Sequence, residues 1–218
     1  MSGCCGFDAA IRQQFTERSA AKEMQRYLKR GPNPTTALLR DDLIRAGLVR
    51  SRVLDVGAGI GALTFELLDR GLAHSVAVDA SPAYIAAATA ESERRNSRRS
   101  TTFVLGDFVE IAHELPQADT VVLDRVVCCY PDYEPLLDQA LRHAAAGLAF
   151  SYPKDRWFVK LVVWIENAFR ALRSNPFRVV IHPLPEMLRL IQEAGFDLVS
   201  RSQTIAWSVD VYRRTALT

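Results

Sequence analysis

From Arg52 onward the chain alternates short apolar runs with longer amphipathic ones. The runs at 52–56, 74–79, 101–105, 119–124 and 147–151 are rich in Val or Leu, the texture of strands buried on both faces. Between them, 60–70, 82–96, 107–114 and 134–146 carry helical spacing. Strand and helix in alternation predict an α/β fold with a parallel sheet, doubly wound because crossovers are right-handed. Upstream, Phe7, Ile11, Phe15, Met24, Tyr27 and Leu28 stand near helical spacing among charges over 7–30. The Gly31-Pro32-Asn33-Pro34 segment breaks that pattern, and Thr35 or Thr36 starts a further helix to about Ala46.

After residue 152 the rhythm changes. Residues 154–172 read as one long helix with two neighbouring apolar stripes. Trp157, Leu161, Trp164, Ala168 and Leu172 make the first; Phe158, Val162, Ile165 and Phe169 make the second. Together they are wider than a helix packed on a sheet needs. A strand at 177–182, a helix at 184–194 and a closing hairpin of 196–201 with 204–212 complete the expected elements.

Composition narrows the picture only a little. The 218 residues are 49% hydrophobic and 24% charged, as in one globular domain, and the net charge of +2 is too mild to point to nucleic acid. No stretch approaches the roughly 18 apolar residues of a membrane span, and the first residues match neither a secretory signal nor a myristoylation pattern. A cytoplasmic location is the resulting expectation. The cysteines fall as adjacent pairs, Cys4-Cys5 and Cys128-Cys129, without the C-x-x-C spacing of a zinc site. They are expected to be free thiols, and no metal ligands are assigned.

The most informative segment is Val53-Leu54-Asp55-Val56-Gly57-Ala58-Gly59-Ile60-Gly61, where an apolar strand ends in three alternate glycines before a helix. Glycine there lets the backbone turn tightly and a ligand approach closely. Gly57, Gly59 and Ala62 also satisfy a dinucleotide fingerprint, which keeps a nicotinamide-dependent oxidoreductase in view. Asp55, the extra Gly61 and Asp107 after the third strand weigh against it, since a carboxylate repels a pyrophosphate and attracts an ammonium group.

From about residue 50 to the C-terminus this pattern resembles the class I S-adenosylmethionine-dependent methyltransferases. The resemblance implies a Rossmann-like, seven-stranded, mostly parallel sheet over 49–218, an N-terminal helical lid over 1–48 and a helical insertion at about 153–176. It also implies S-adenosylmethionine as cofactor and S-adenosylhomocysteine as product. On it, Asp55 and the loop of Gly57, Ala58, Gly59 and Gly61 would hold the methionine moiety. Asp79 would take the ribose hydroxyls, with Ala80 beside it; Asp107 would meet the adenine amino group, with Phe108 near the ring. Asp124, closing the fourth strand, joins this set. Asp79 and Asp107 also suit plain helix N-caps, as acids after strands often do.

The segment from Arg125 to Tyr133 would then lie beside the reactive methyl, with a small molecule as acceptor and oxygen as the expected atom. Many members have a histidine near the place of Cys129, so that side chain does not carry over. Ala118-Asp-Thr-Val-Val, Tyr130-Pro-Asp, Phe150-Ser-Tyr-Pro-Lys and Ile181-His-Pro-Leu-Pro-Glu look like the magnesium-protoporphyrin O-methyltransferases, which esterify a carboxylate on a large flat substrate. The apolar face at 157–169 suits a hydrophobic partner or substrate. His182 is a candidate acid or base, Tyr130 a wall of the site, and Arg125 either meets an anionic acceptor or pairs with Asp124 or Asp132. His74, His113 and His143 read as surface residues, and Arg94, Arg95, Arg98 and Arg99 as a solvated cluster suited to a helix end. Two further readings stand beside these: thiol or metalloid methylation, if an N-terminal lid brings Cys4-Cys5 to Cys128-Cys129, and a non-catalytic binding module using the 157–169 face.

Overall fold

The structure, a computed structural model, describes residues 4–215, with side chains from Ala9 onward. In chain order it runs α1 (Cys4–Gln14), α2 (Glu17–Arg30), α3 (Pro34–Arg45), β1 (Arg52–Val56), α4 (Ala62–Leu68), β2 (His74–Asp79), α5 (Pro82–Arg94), β3 (Thr101–Leu105), α6 (Phe108–Ile111) and β4 (Ala118–Leu123). It continues with α7 (Tyr133–His143), β5 (Ala144–Pro153), α8 (Trp157–Leu172), α9 (Leu184–Glu193), β6 (Phe196–Gln203) and β7 (Trp207–Arg214). The strands form one seven-stranded sheet in the order β3-β2-β1-β4-β5-β7-β6. β1 to β5 pair in parallel, and β7 enters antiparallel between β5 and β6. The order reverses at β1 and β4, the switch point where open α/β sheets hold ligands beyond their carboxyl ends.

The central strands are apolar on both faces because helices cover both. Leu54, Val56, Val121 and Leu123 pack with Phe108, Leu136, Leu137 and Ile191 on one side. Val53 and Val122 pack with Leu39, Leu43, Leu63 and Leu67 on the other. Strand parity therefore sends Asp55, one residue on from Leu54, to the Val53 face.

Three expectations are corrected. Residues 7–30 hold two helices, because Thr16 leaves helical geometry and its hydroxyl caps α2 by accepting from the Ser19 N–H at 3.3 Å. Residues 177–182 form no strand: the Asn167 side chain of α8 bonds both the N–H and the carbonyl of Val179, at 3.0 and 2.8 Å. His143 is buried, with its ring nitrogens 2.8 and 2.9 Å from the carbonyls of Gln139 and Ala112. Within 1–48, α3 packs on the sheet through Leu39 and Leu43, and only α1 and α2 lie across the carboxyl ends. There Ser81 donates its hydroxyl to the Phe15 carbonyl at 2.8 Å, and the Phe15 ring stands edge-on to Tyr84 and Phe177.

Candidate active site

A cavity of about 380 Å³ opens at the carboxyl ends of β1, β2 and β4. At one end its wall is Gly57, Gly59, Asp79, Ala80, Gly106 and Phe108; at the other it is Phe158, Val159, Val162 and Val163 of α8, with Phe177 and Trp207.

The glycine loop shapes the first end. Gly57, Gly59 and Gly61 have φ of +63°, +58° and +79°, the left-handed region that side chains with a Cβ rarely adopt. A Cβ on Gly57 would stand 2.3 Å from Val126 Cγ2. The Ala58 N–H donates to the Val78 carbonyl at 3.0 Å and the Gly61 N–H to that of Ala58 at 2.9 Å, so these two brace the turn without lining the cavity.

Asp79 is clamped by two backbone N–H donors, Gly59 on Oδ2 and Ser81 on Oδ1, both at 2.8 Å. Burial pushes its carboxyl up to about 6 against those two bonds, and Glu23 pushes the same way. Each carboxylate oxygen has a further lone pair, so the clamp leaves acceptors for two adjacent hydroxyls. Open left-handed glycines and a diol-accepting carboxylate on one wall fit S-adenosylmethionine.

Asp55 departs from its expected contact. It is fully buried beneath the loop, off the cavity wall, and accepts from the Thr64 hydroxyl of α4 at 2.9 Å. Burial first, then the charges of Asp124 and Asp79, push its carboxyl up to about 7. Asp107 combines both of its readings only in part. Its Oδ1 caps α6 through the Val109 N–H at 2.9 Å and accepts from the Tyr130 hydroxyl at 2.6 Å, while its neighbours Gly106 and Phe108 form the wall.

Asp124 follows β4 and lines the cavity, accepting from Thr36 at 2.5 Å and Ser151 at 2.7 Å. Ser151 accepts in turn from the Arg125 N–H at 2.7 Å. This relay fixes Arg125 at φ +61°, a costly conformation for a non-glycine residue, and turns its guanidinium to the cavity. Arg125 pairs neither with Asp132 nor by hydrogen bond with Asp124: its Nη2 donates to Glu23 of α2 at 3.3 Å, while the buried Nε has no partner. Tyr130 lines the cavity, and burial, then Asp107, push its hydroxyl well up, so it keeps its proton as a donor.

His182 stands outside the wall. Its Nε2 lies 3.1 and 3.0 Å from the carbonyls of Val127 and Tyr130, and its ring packs against Tyr133. These contacts tie it to the 127–130 segment, and it is not among the residues that line the cavity. Cys128 and Cys129 do line the cavity, with their sulfurs 4.0 Å apart. The contact with Cys129 and burial push the Cys128 thiol well up, which disfavours the thiolate that a soft metal needs. Among the described residues no group of three His, Cys, Asp or Glu is arranged to hold a metal; the side chains of Cys4 and Cys5 lie outside the described ones. Glu23, Phe15 and Tyr84 also stand on the wall. The helical pattern of 7–30 foretold the helices that carry Glu23, but nothing local tied it to Arg125, 102 residues away.

Residues 53–147 match the family described as "Methyltransferase domain". The matched segment runs from β1 into β5 and contains the glycine loop, Asp79, Asp107 and Asp124, so the Gly57–Asp79 wall of the cavity lies within it. No curated protein matches the chain. Among solved structures, the chain is similar to magnesium protoporphyrin IX methyltransferase from Synechocystis PCC 6803 with bound S-adenosylhomocysteine, at 17% identity and TM-score 0.75 over 94% of this chain and 98% of that one. It is also similar to an O-methyltransferase family protein from Burkholderia thailandensis, at 14% identity and TM-score 0.69 over 94% of this chain and 64% of that one. A third likeness is to an O-methyltransferase family 2 protein from Planctomyces limnophilus DSM 3776 in complex with apigenin, at 19% identity and TM-score 0.58 over 75% of this chain and 51% of that one. At such identities the likenesses establish the fold.

Proposed function

We propose that the protein transfers the methyl group of S-adenosylmethionine to an oxygen of a small, largely apolar acceptor, and that this oxygen is already ionised when it binds. The observation that carries the reading is the single cavity joining the Gly57–Asp79 wall to the apolar face of α8, with Arg125 beside the junction and no histidine among the residues that line it. When bound, the cofactor supplies an electrophilic methyl on a sulfonium. The acceptor oxygen forms the new bond to carbon as the carbon–sulfur bond breaks and a neutral thioether leaves. Such a displacement needs alignment above all. A neutral hydroxyl would also need a base, and Tyr130, which holds its proton, does not supply one. A phenolate or carboxylate needs none, and Arg125 offers it a cation.

The test is incubation with methyl-labelled cofactor and a panel of phenols, aromatic carboxylic acids and thiols. Label in an ether or ester is expected. Label in a thioether, or in no acceptor while the cofactor still binds, would sink the proposal. Val162, on the cavity wall and half exposed, separates the two ends. Val162→Asp should raise the acceptor KM several-fold and leave S-adenosylhomocysteine affinity unchanged; a fall in both would remove α8 from the acceptor end.

A further inference from the structure

We infer that the outer face of α8 is a docking surface for an anionic lipid membrane. α8 is a two-sided helix. Phe158, Val159, Val162, Val163, Glu166 and Arg170 belong to the cavity wall. At about 100° per residue, Trp157, Leu161, Trp164, Ile165, Ala168 and Leu172 fall within one arc of roughly 100° on the other side. That arc holds no charge and faces solvent: Trp157, Trp164 and Leu172 are 77%, 67% and 85% exposed. Ile205, 85% exposed in the turn before β7, extends the patch at the N-terminal end of the helix, where the Lys154 N–H donates to the Ala206 carbonyl at 2.8 Å. A contiguous patch of this kind marks an interaction surface rather than scattered exposed residues.

Charge decides what covers it. Residues 154–178 hold six cations against Asp155 and Glu166; Lys160 pairs with Asp155 and Arg170, on the cavity side, with Glu166, which leaves Lys154, Arg156, Arg173 and Arg178 as a surplus of four where the whole chain has a surplus of two. Arg156 and Lys160 flank the first turn; at the last, Arg173 stacks on Phe169 with its guanidinium carbon 4.0 Å from the ring centroid. Tryptophans and leucines on one face with basic residues at the rim are the features by which a helix lies in a lipid interface. A second copy seated on the same face would set like charges against each other, whereas anionic headgroups complement them. Ala206 and Trp207, at the edge of the patch, also line the cavity. An apolar acceptor would thus pass from the bilayer into the site beside α8. The docking itself stands on the surface alone, whatever the acceptor proves to be.

Flotation of the full chain with phosphatidylcholine vesicles, with and without phosphatidylserine, tests this. Binding to the phosphatidylserine vesicles is expected, together with a blue shift of tryptophan emission. The double variant W157S/W164S, at sites outside the cavity wall, should lower partitioning at least about tenfold while its S-adenosylhomocysteine affinity and Tm stay unchanged. Arg156→Glu with Arg173→Glu should weaken binding only where phosphatidylserine is present. Failure of the wild-type chain to float with either vesicle would overturn the inference. So would a dimer in sedimentation velocity that W157S/W164S dissociates, since the face would then belong to a second copy.

Discussion

Gly57 and Asp55 lie two residues apart on one strand end and answer to different forces. At Gly57 the limit is space. Its φ is +63° and an added Cβ would meet Val126 Cγ2 at 2.3 Å, so Gly57→Ala must move the loop or Val126. We expect S-adenosylhomocysteine affinity, measured by calorimetry, to fall more than about tenfold, with about 1–3 kcal/mol lost in urea unfolding. Unchanged affinity would remove the loop from the cofactor site. At Asp55 the limit is charge. Its folded value near 7 stands above the ordinary 3.8 because burial disfavours the carboxylate, so the folded state binds the proton more tightly than the unfolded chain. Its contribution to stability is therefore fully present below about 4 and is lost as pH rises through about 7. Asp79, near 6, acts with the same sign at lower pH. Asp55→Asn keeps an acceptor for the Thr64 hydroxyl and removes the charge. Its apo Tm at pH 8 should be no lower than wild type, and its Tm should change less between about pH 6 and 8; a steeper dependence would refute the assignment. The residue types and order of this site were legible from the chain because a turn requiring positive φ and acids closing successive strands are local features. That Asp55 sits under the loop was not stated by the motif, although strand parity already carried it.

At the scale of elements, Glu23 of α2 ties the helices over the cavity to the site. It accepts from the Tyr84 hydroxyl of α5 at 3.0 Å and from Arg125 at 3.3 Å. Both members of the Arg125 pair are partly exposed, so the bond should add little to stability, under about 1 kcal/mol. Its removal by Glu23→Ala should instead quicken S-adenosylhomocysteine dissociation several-fold in stopped-flow measurements, with Tm nearly unchanged. A large fall in Tm without faster release would make Glu23 a folding residue only. Most elements were legible, since apolar periodicity reports a helix or strand wherever one face is buried. The failures have specific causes. Residues 177–182 have the apolar character of a strand, but Asn167 takes up both Val179 backbone groups that a ladder would use. The α1–α2 break depends on one capping threonine within a continuous pattern.

Across the whole molecule, the antiparallel edge is held by a buried carboxylate. Asp210 of β7 accepts from Nε and Nη2 of Arg201 on β6, each at 2.7 Å, from Tyr152 of β5 at 3.1 Å and from Tyr212 at 2.9 Å. Burial, then Asp210, push the Tyr212 hydroxyl upward, so it remains a donor. Asp210→Ala would leave a cation and two hydroxyls without their acceptor, and about 3–5 kcal/mol should be lost in urea unfolding. A loss below about 1 kcal/mol would show that water replaces the carboxylate.

The alternation of strand and helix, the glycine turn and the carboxylates at successive strand ends are written locally along the chain. Each is set by neighbours in the chain, through side-chain period, backbone φ and spacing. Long-range packing brings Arg125 to Glu23, buries His143 and sets His182 against the 127–130 segment. It also turns Phe158 and Val162 of the second α8 stripe, with Val159 and Val163, to the cavity and leaves Ile165 and Phe169 of that stripe exposed with the first. Both stripes are equally apolar, so composition does not distinguish them; the choice is made by the sheet, the 177–182 segment and the cavity against which the helix is laid.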